Sequence, residues 1–99
     1  RMISRGYSFK EFAEAMQGRN PQEIIDLAEK EATEAWRAAY RHQHGSEDWF
    51  RSKSYQDRLI GLIDFMRHGV NTFQFDEQDL YLCRMLHPEA PTNRHPQTP

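Results

Sequence analysis

Cysteine is almost absent from this chain. Cys83 is the only one in 99 residues, which excludes an internal disulfide and any metal site built on several thiolates. Long apolar runs are missing too, and no stretch approaches the roughly 18 residues that a membrane-spanning helix requires. The opening segment RMISRGYSFKEF is polar and soon charged, so no secretory leader is expected there. Arg1 ahead of Met2 suggests either a residue added before an initiator methionine or a domain cut from a longer chain. Charge of one dominant sign is also lacking. With 28% charged residues and a net charge of −2, nothing in the balance selects a nucleic acid or an anionic membrane as partner.

Reactive motifs are equally scarce. The chain has no Gly-x-x-x-x-Gly-Lys-Ser/Thr loop, no Gly-x-Gly-x-x-Gly and no Gly-x-Ser-x-Gly, the patterns that cradle phosphates or present a nucleophilic serine. Its many carboxylates, among them Glu11, Glu14, Glu23, Asp26, Glu29, Glu31 and Glu34, form neither a Glu-x-x-His pair nor a His-Glu-x-x-His run. A non-enzymatic, cytoplasmic protein without a cofactor is therefore the expectation.

What is present reads as helices with clear punctuation. Hydrophobic residues make up 37% and aromatics 12%, enough for a core in a single domain over 1–87. Ser8 and Glu11 fit a capping box, Tyr7 and Phe12 a hydrophobic staple, and Phe9, Phe12, Ala13 and Met16 follow at helical spacing until Gly18 stops the run. Asn20 and Pro21 open a second helix that meets no breaker before Gly45. Its stripe of Ile24, Ala28, Ala32, Ala35 and Ala39 is narrow and smooth, which allows another helix to approach closely. Asp26, Lys30, Glu34, Arg37 and Arg41 form the solvated face, with Asp26–Lys30 and Glu34–Arg37 at pairing distance along the helix.

Ser46 is expected to cap a short turn through EDWF, and Ser54 to cap a separate long helix carrying Tyr55, Leu59, Leu62, Ile63 and Met66 on one face. Gly61 falls inside that helix at a cost of about 1 kcal/mol relative to alanine, which a close contact with the alanine strip would explain. Gly69 ends it. VNTFQF reads as an extended connector; Asp76 then caps a final helix, with Phe75 and Leu80 at staple positions. That helix is apolar nearly all round, through Leu80, Tyr81, Leu82, Cys83, Met85 and Leu86. PEAPTNRHPQTP over 88–99 is a proline-rich tail or linker. The fold class expected is all-α: a compact bundle of four principal helices with short loops and an unstructured Pro-rich C-terminal tail.

The densest chemistry lies in YRHQHGSEDWF. His42, His44 and Glu47 are candidate metal ligands, but residues two apart on a helix point about 200° from each other. A helix end rich in basic residues, a glycine stop and a serine cap followed by acids account for every letter. Cys83, between Leu82 and Arg84 with His87 one turn on, fits a core or interface thiol better than a nucleophile.

The function expected is a regulatory or adaptor-like protein–protein interaction module, one able to self-associate. Its partner, a protein or a second copy, is expected to meet Trp49, Phe50, Tyr81, Leu82 and Met85, with Trp36 and Phe73 as further large rings. A helix-turn-helix-like unit over 9–30 is the alternative. It places Ala13 one position from the small residue such a motif wants, and it presents Gln22, Glu23, Asp26 and Glu29 from the start of its second helix, which repels phosphates. A metal site at the His42/His44 junction is the second alternative.

Overall fold

The computed structural model describes residues 7–69 and 75–89. These form α1 (Phe9–Ala15), α2 (Pro21–Tyr40), α3 (Glu47–His68) and α4 (Glu77–Leu86), with no strand among them. The expected four-helix, all-α architecture is therefore observed. From residue 90 onward the expected tail lies outside the described residues, as does the connector over 70–74 with Phe73.

Every helix begins where a side chain can take up an orphan N–H. Ser8 accepts from the Glu11 N–H at 3.2 Å, Asn20 from Glu23 at 2.8 Å, Ser46 from Trp49 at 3.2 Å and Asp76 from Asp79 at 2.8 Å. Such caps contribute about 1 kcal/mol each and fix where the first turn starts. Pro21 occupies the first turn of α2, where its missing N–H costs no hydrogen bond. Gly69 caps α3 in the left-handed region at φ 73°, a conformation that a side chain would oppose.

Two expectations need correcting. The short turn and the separate helix opened by Ser54 are one continuous helix, Glu47–His68. No glycine or proline interrupts residues 47–60. The Ser54 hydroxyl, instead of capping, accepts from the Arg58 guanidinium one turn on. Gly61 does not face the alanine strip as its explanation. A Cβ built there would run into the ring of Phe75, which leaves the connector and lies across α3 at this point. Phe75 also stacks against Phe9 at 6.0 Å, so one ring joins the start of α1 to the middle of α3.

α2 and α3, joined by residues 41–46, form a helical hairpin, the most extensive helix–helix contact in the structure. Ala28, Ala32, Ala35, Ala38 and Ala39 are all buried on α2; Ser52, Tyr55, Leu59, Leu62, Ile63 and Met66 are buried on α3. Small residues along one helix let the larger side chains of the other fill the gap between the axes. α1 and α4 pack together and against α3, and Phe9, Phe12, Met16, Leu82, Cys83 and Leu86 join the same core.

One polar pair lies inside this core. The Tyr55 hydroxyl donates to Glu31 Oε2 at 2.9 Å, and both residues are under 5% exposed. Glu31 belongs to the same stripe as Ala28 and Ala35, so the close approach of the helices carries its carboxylate inward. Ser52, one turn before Tyr55, is fully buried, and its hydroxyl has no hydrogen-bond partner among the described residues. On the solvated face, Glu34 and Arg37 approach at 3.8 Å, while Asp26 accepts from Gln22 Nε2 at 3.0 Å.

Gly61→Ala should destabilise the fold by about 1–2 kcal/mol, overpacking against Phe75 outweighing the gain in helix propensity. In a Phe75→Leu background the same change should become neutral or stabilising, which a double-mutant cycle in urea would reveal. Tyr55→Phe removes a buried donor from Glu31 and should cost about 1–3 kcal/mol in the same assay.

Candidate partner surface

Most large side chains are covered; of the five exposed ones among the described residues, three lie at one end of the hairpin, with Ile60 in the middle of α3 and Tyr81 on α4 apart from them. Trp36 is 44% exposed, Tyr40 70% and Phe50 59%. Trp36 and Tyr40, one turn apart near the end of α2, meet edge to face with centroids 4.8 Å apart. Trp49 and Phe50, in the first turn of α3, meet edge to face at 4.9 Å. A one-turn spacing and a sequence-adjacent pair thus hold two aromatic edges close to the hairpin connection, each ring limiting the rotation of the other.

The junction itself is built by local rules. The α2 ladder ends at Tyr40, and the Arg41 and His42 N–H groups turn back to the Ala38 and Ala39 carbonyls. Gly45 takes φ 85°, and Ser46 begins α3. His44 packs on Trp49 with centroids 4.2 Å apart, and His42 is half-buried. Glu47 and Asp48 lie at the start of α3, where the helix dipole favours them, and both pair with Arg51, at 3.6 and 2.9 Å. Among the described residues no three of histidine, cysteine, aspartate and glutamate come together as a metal-ligand group, so His42, His44 and Glu47 form none. The imidazole of His44 serves instead as a ring in the aromatic contact.

The residues expected at a partner surface separate into two groups. Trp49 and Phe50 stand together at the hairpin end. Tyr81 is 67% exposed but lies on α4, Met85 is half-buried and accepts a hydrogen bond at its sulfur from Gln17 Nε2, and Leu82 is 4% exposed within the core. Leu82 therefore packs inward, because α4 turns Asp79, Leu82, Cys83 and Leu86 towards α1 and α3. The signal for Trp36 and Tyr40 as a pair was their spacing of four along the edge of the alanine stripe, following Ala28 and Ala32.

In the 9–30 unit, Arg19 is held by Glu23 at 2.7 Å, and the first two turns of α2 present Gln22, Glu23 and Asp26 to solvent. No helix among the described residues is long and apolar enough to cross a membrane.

Cys83 is fully buried, and burial, reinforced by the charge of Asp79 and only partly offset by Arg84, pushes its thiol up to about 12. At neutral pH it is a protonated core group and a poor nucleophile. Since the unfolded thiol ionises near 8.5, the unfolded chain loses its proton first. This group's contribution to stability is therefore fully present below that pH and falls by about 1.4 kcal/mol per unit towards pH 12. Urea midpoints measured against pH should fall more steeply for the native chain than for Cys83→Ala above pH 9. Iodoacetamide at pH 8 should label Cys83 at least about a hundredfold faster in denaturant than in buffer, since labelling of the native state requires opening of the core.

Compared with known proteins, the chain matches no family model, no curated protein and no solved structure.

Proposed function

We propose that this chain is a small, non-enzymatic protein–protein interaction module, regulatory or adaptor-like and cytoplasmic, that associates with a second copy of itself through the aromatic end of the α2–α3 hairpin. The observation that carries the reading is the exposure of Trp36, Tyr40 and Phe50 at the same end of one hairpin. Exposed aromatics concentrated in one place mark interaction surfaces more than scattered ones do, and aromatic residues are the usual anchors of binding energy.

Charge around the rings supports a second copy as the partner. Arg37 and Arg41 flank Trp36 and Tyr40, whereas Glu47 and Asp48 flank Trp49 and Phe50. A two-fold contact places the same patch on both sides, so a surface carrying both signs beside its apolar centre can set acids against bases across the axis. Pre-formed edge-to-face pairs also lower the entropy cost of ordering the rings on association. The free, buried Cys83 is in keeping with a reducing compartment.

Sedimentation equilibrium tests the reading. The native chain should show a concentration-dependent dimer, with Phe50→Ala and Trp36→Ala each weakening it by about thirtyfold, the effect of losing a central anchor of about 2 kcal/mol. Tyr81→Ala, on α4, should leave it unchanged. A strict monomer at millimolar concentration, or a dimer insensitive to both hairpin substitutions, would overturn the proposal.

A further inference from the structure

The chain beyond α4 carries a regular spacing of its own. Prolines stand at 88, 91, 96 and 99, which makes two Pro-x-x-Pro motifs, PEAP and PQTP. A polyproline II helix has three residues per turn, so the two prolines of each motif fall on one edge, about 9 Å apart. Segments of this kind dock on surfaces lined by aromatic rings, where prolines lie against ring faces and a chain already restricted in φ loses little freedom. The hairpin end offers such rings: Trp36, Tyr40 and Phe50 are exposed, and half-buried Trp49 meets Phe50 edge to face.

Distance selects which motif can reach them. The His87 ring lies 6.4 Å from that of Phe65, so α4 ends beside the late part of α3. Phe65 is separated from Phe50 by about 22 Å of unbroken helix, at 1.5 Å per residue. PEAP begins at the residue after His87 and is held at that far end. PQTP is not. Drawn out at about 3.1 Å per residue, the chain from His87 to Pro96 covers about 28 Å, enough to bring Pro96 and Pro99 to Trp49 and Phe50. The same path sets Arg94 beside Glu47 and Asp48, two acids that share one cation, Arg51. A motif tethered this closely has an effective concentration on the order of millimolar at the rings, which favours the chain's own tail over that of a second copy.

We propose that residues 96–99 dock on the aromatic end of the hairpin of the same chain, Pro96 and Pro99 against Trp49 and Phe50, as an intramolecular competitor for the surface through which two copies associate. The competition rests on the reading of that surface as the dimer contact; the docking does not.

The experiment places a nitroxide at position 97 of the full chain through Gln97→Cys and reads the broadening of amide and indole N–H signals by NMR, at a concentration where the monomer predominates. Cys83, buried and protonated, stays unlabelled under native conditions. The docked tail should broaden the Trp49 indole and the Tyr40 and Phe50 amides more than Phe65 and Leu86, near the root of the tail. A mixture of nitroxide-bearing chains with isotope-labelled chains lacking the nitroxide should show no such effect. Pro96→Ala combined with Pro99→Ala, and separately Phe50→Ala, should each weaken docking by about tenfold and return the broadening to the root. Removing residues 96–99 should tighten the dimer in sedimentation by about tenfold, because both copies then present a free surface.

Broadening strongest at Phe65 and Leu86, or unaltered in both sets of variants, overturns the proposal. So does broadening seen only in the mixture, which places the tail on a second copy. A dimer indifferent to the truncation overturns the competition. A strict monomer with a broadened Trp49 overturns the dimer alone, and a dimer with an unaffected Trp49 overturns the docking alone.

Discussion

The close approach of α2 and α3 is the constraint on which the rest of the structure depends. It is possible because one helix presents alanine where a bundle helix usually presents leucine, and Tyr55, Leu59 and Leu62 of the other are buried in the same core. The hydrogen bond from Tyr55 to Glu31 crosses this interface and specifies one alignment of the two helices. Sliding either helix by a turn would separate the hydroxyl from the carboxylate and leave both buried without each other. A buried polar pair adds little net stability over an apolar one, but it penalises wrong registers heavily.

Everything else is arranged around that hairpin. α1 and α4 are too short to be stable alone, at seven and ten residues. They persist because Phe9, Phe12, Met16, Leu82 and Cys83 complete a core that α3 leaves open on one side. Phe75 fastens α1 to α3: it lies over Gly61, where no other residue would admit it, and reaches Phe9. This division of labour gives the molecule two surfaces with different chemistry. The hairpin end keeps the rings of Trp36, Tyr40 and Phe50 exposed. The side where the short helices meet α3 is a charged cleft whose cations are matched by acids, Arg58 with Asp79 and Arg51 with Glu47 and Asp48.

Helix starts and the termination at Gly69 were legible in the sequence because they are local. A serine, asparagine or aspartate meets an N–H within its own next turn, and a glycine relieves strain at its own φ, whatever the rest of the chain does. Ser8, Asn20, Ser46 and Asp76 all cap as their neighbours imply. Ser54 shows the limit of that logic. Its letters resemble a cap, but α3 is already propagating through it, and extending a formed helix is easier than starting a new one. The hairpin-end rings Trp49 and Phe50 were recognisable as candidates from their type and from the junction beside them.

The amino-acid sequence by itself determined the class of the fold, the bounds of most helices, the alanine face and the absence of any familiar catalytic pattern. Only the tertiary structure decided that Glu31 lies inside, that Gly61 accommodates Phe75, that Leu82 packs into the core while Tyr81 does not, and that Lys10, Arg51 and Arg58 surround one cleft. The physical reason is range. Capping and periodicity act within one or two turns, whereas burial and the grouping of charges depend on which helices meet and at what angle. Those choices are made by the whole set of packing contacts together.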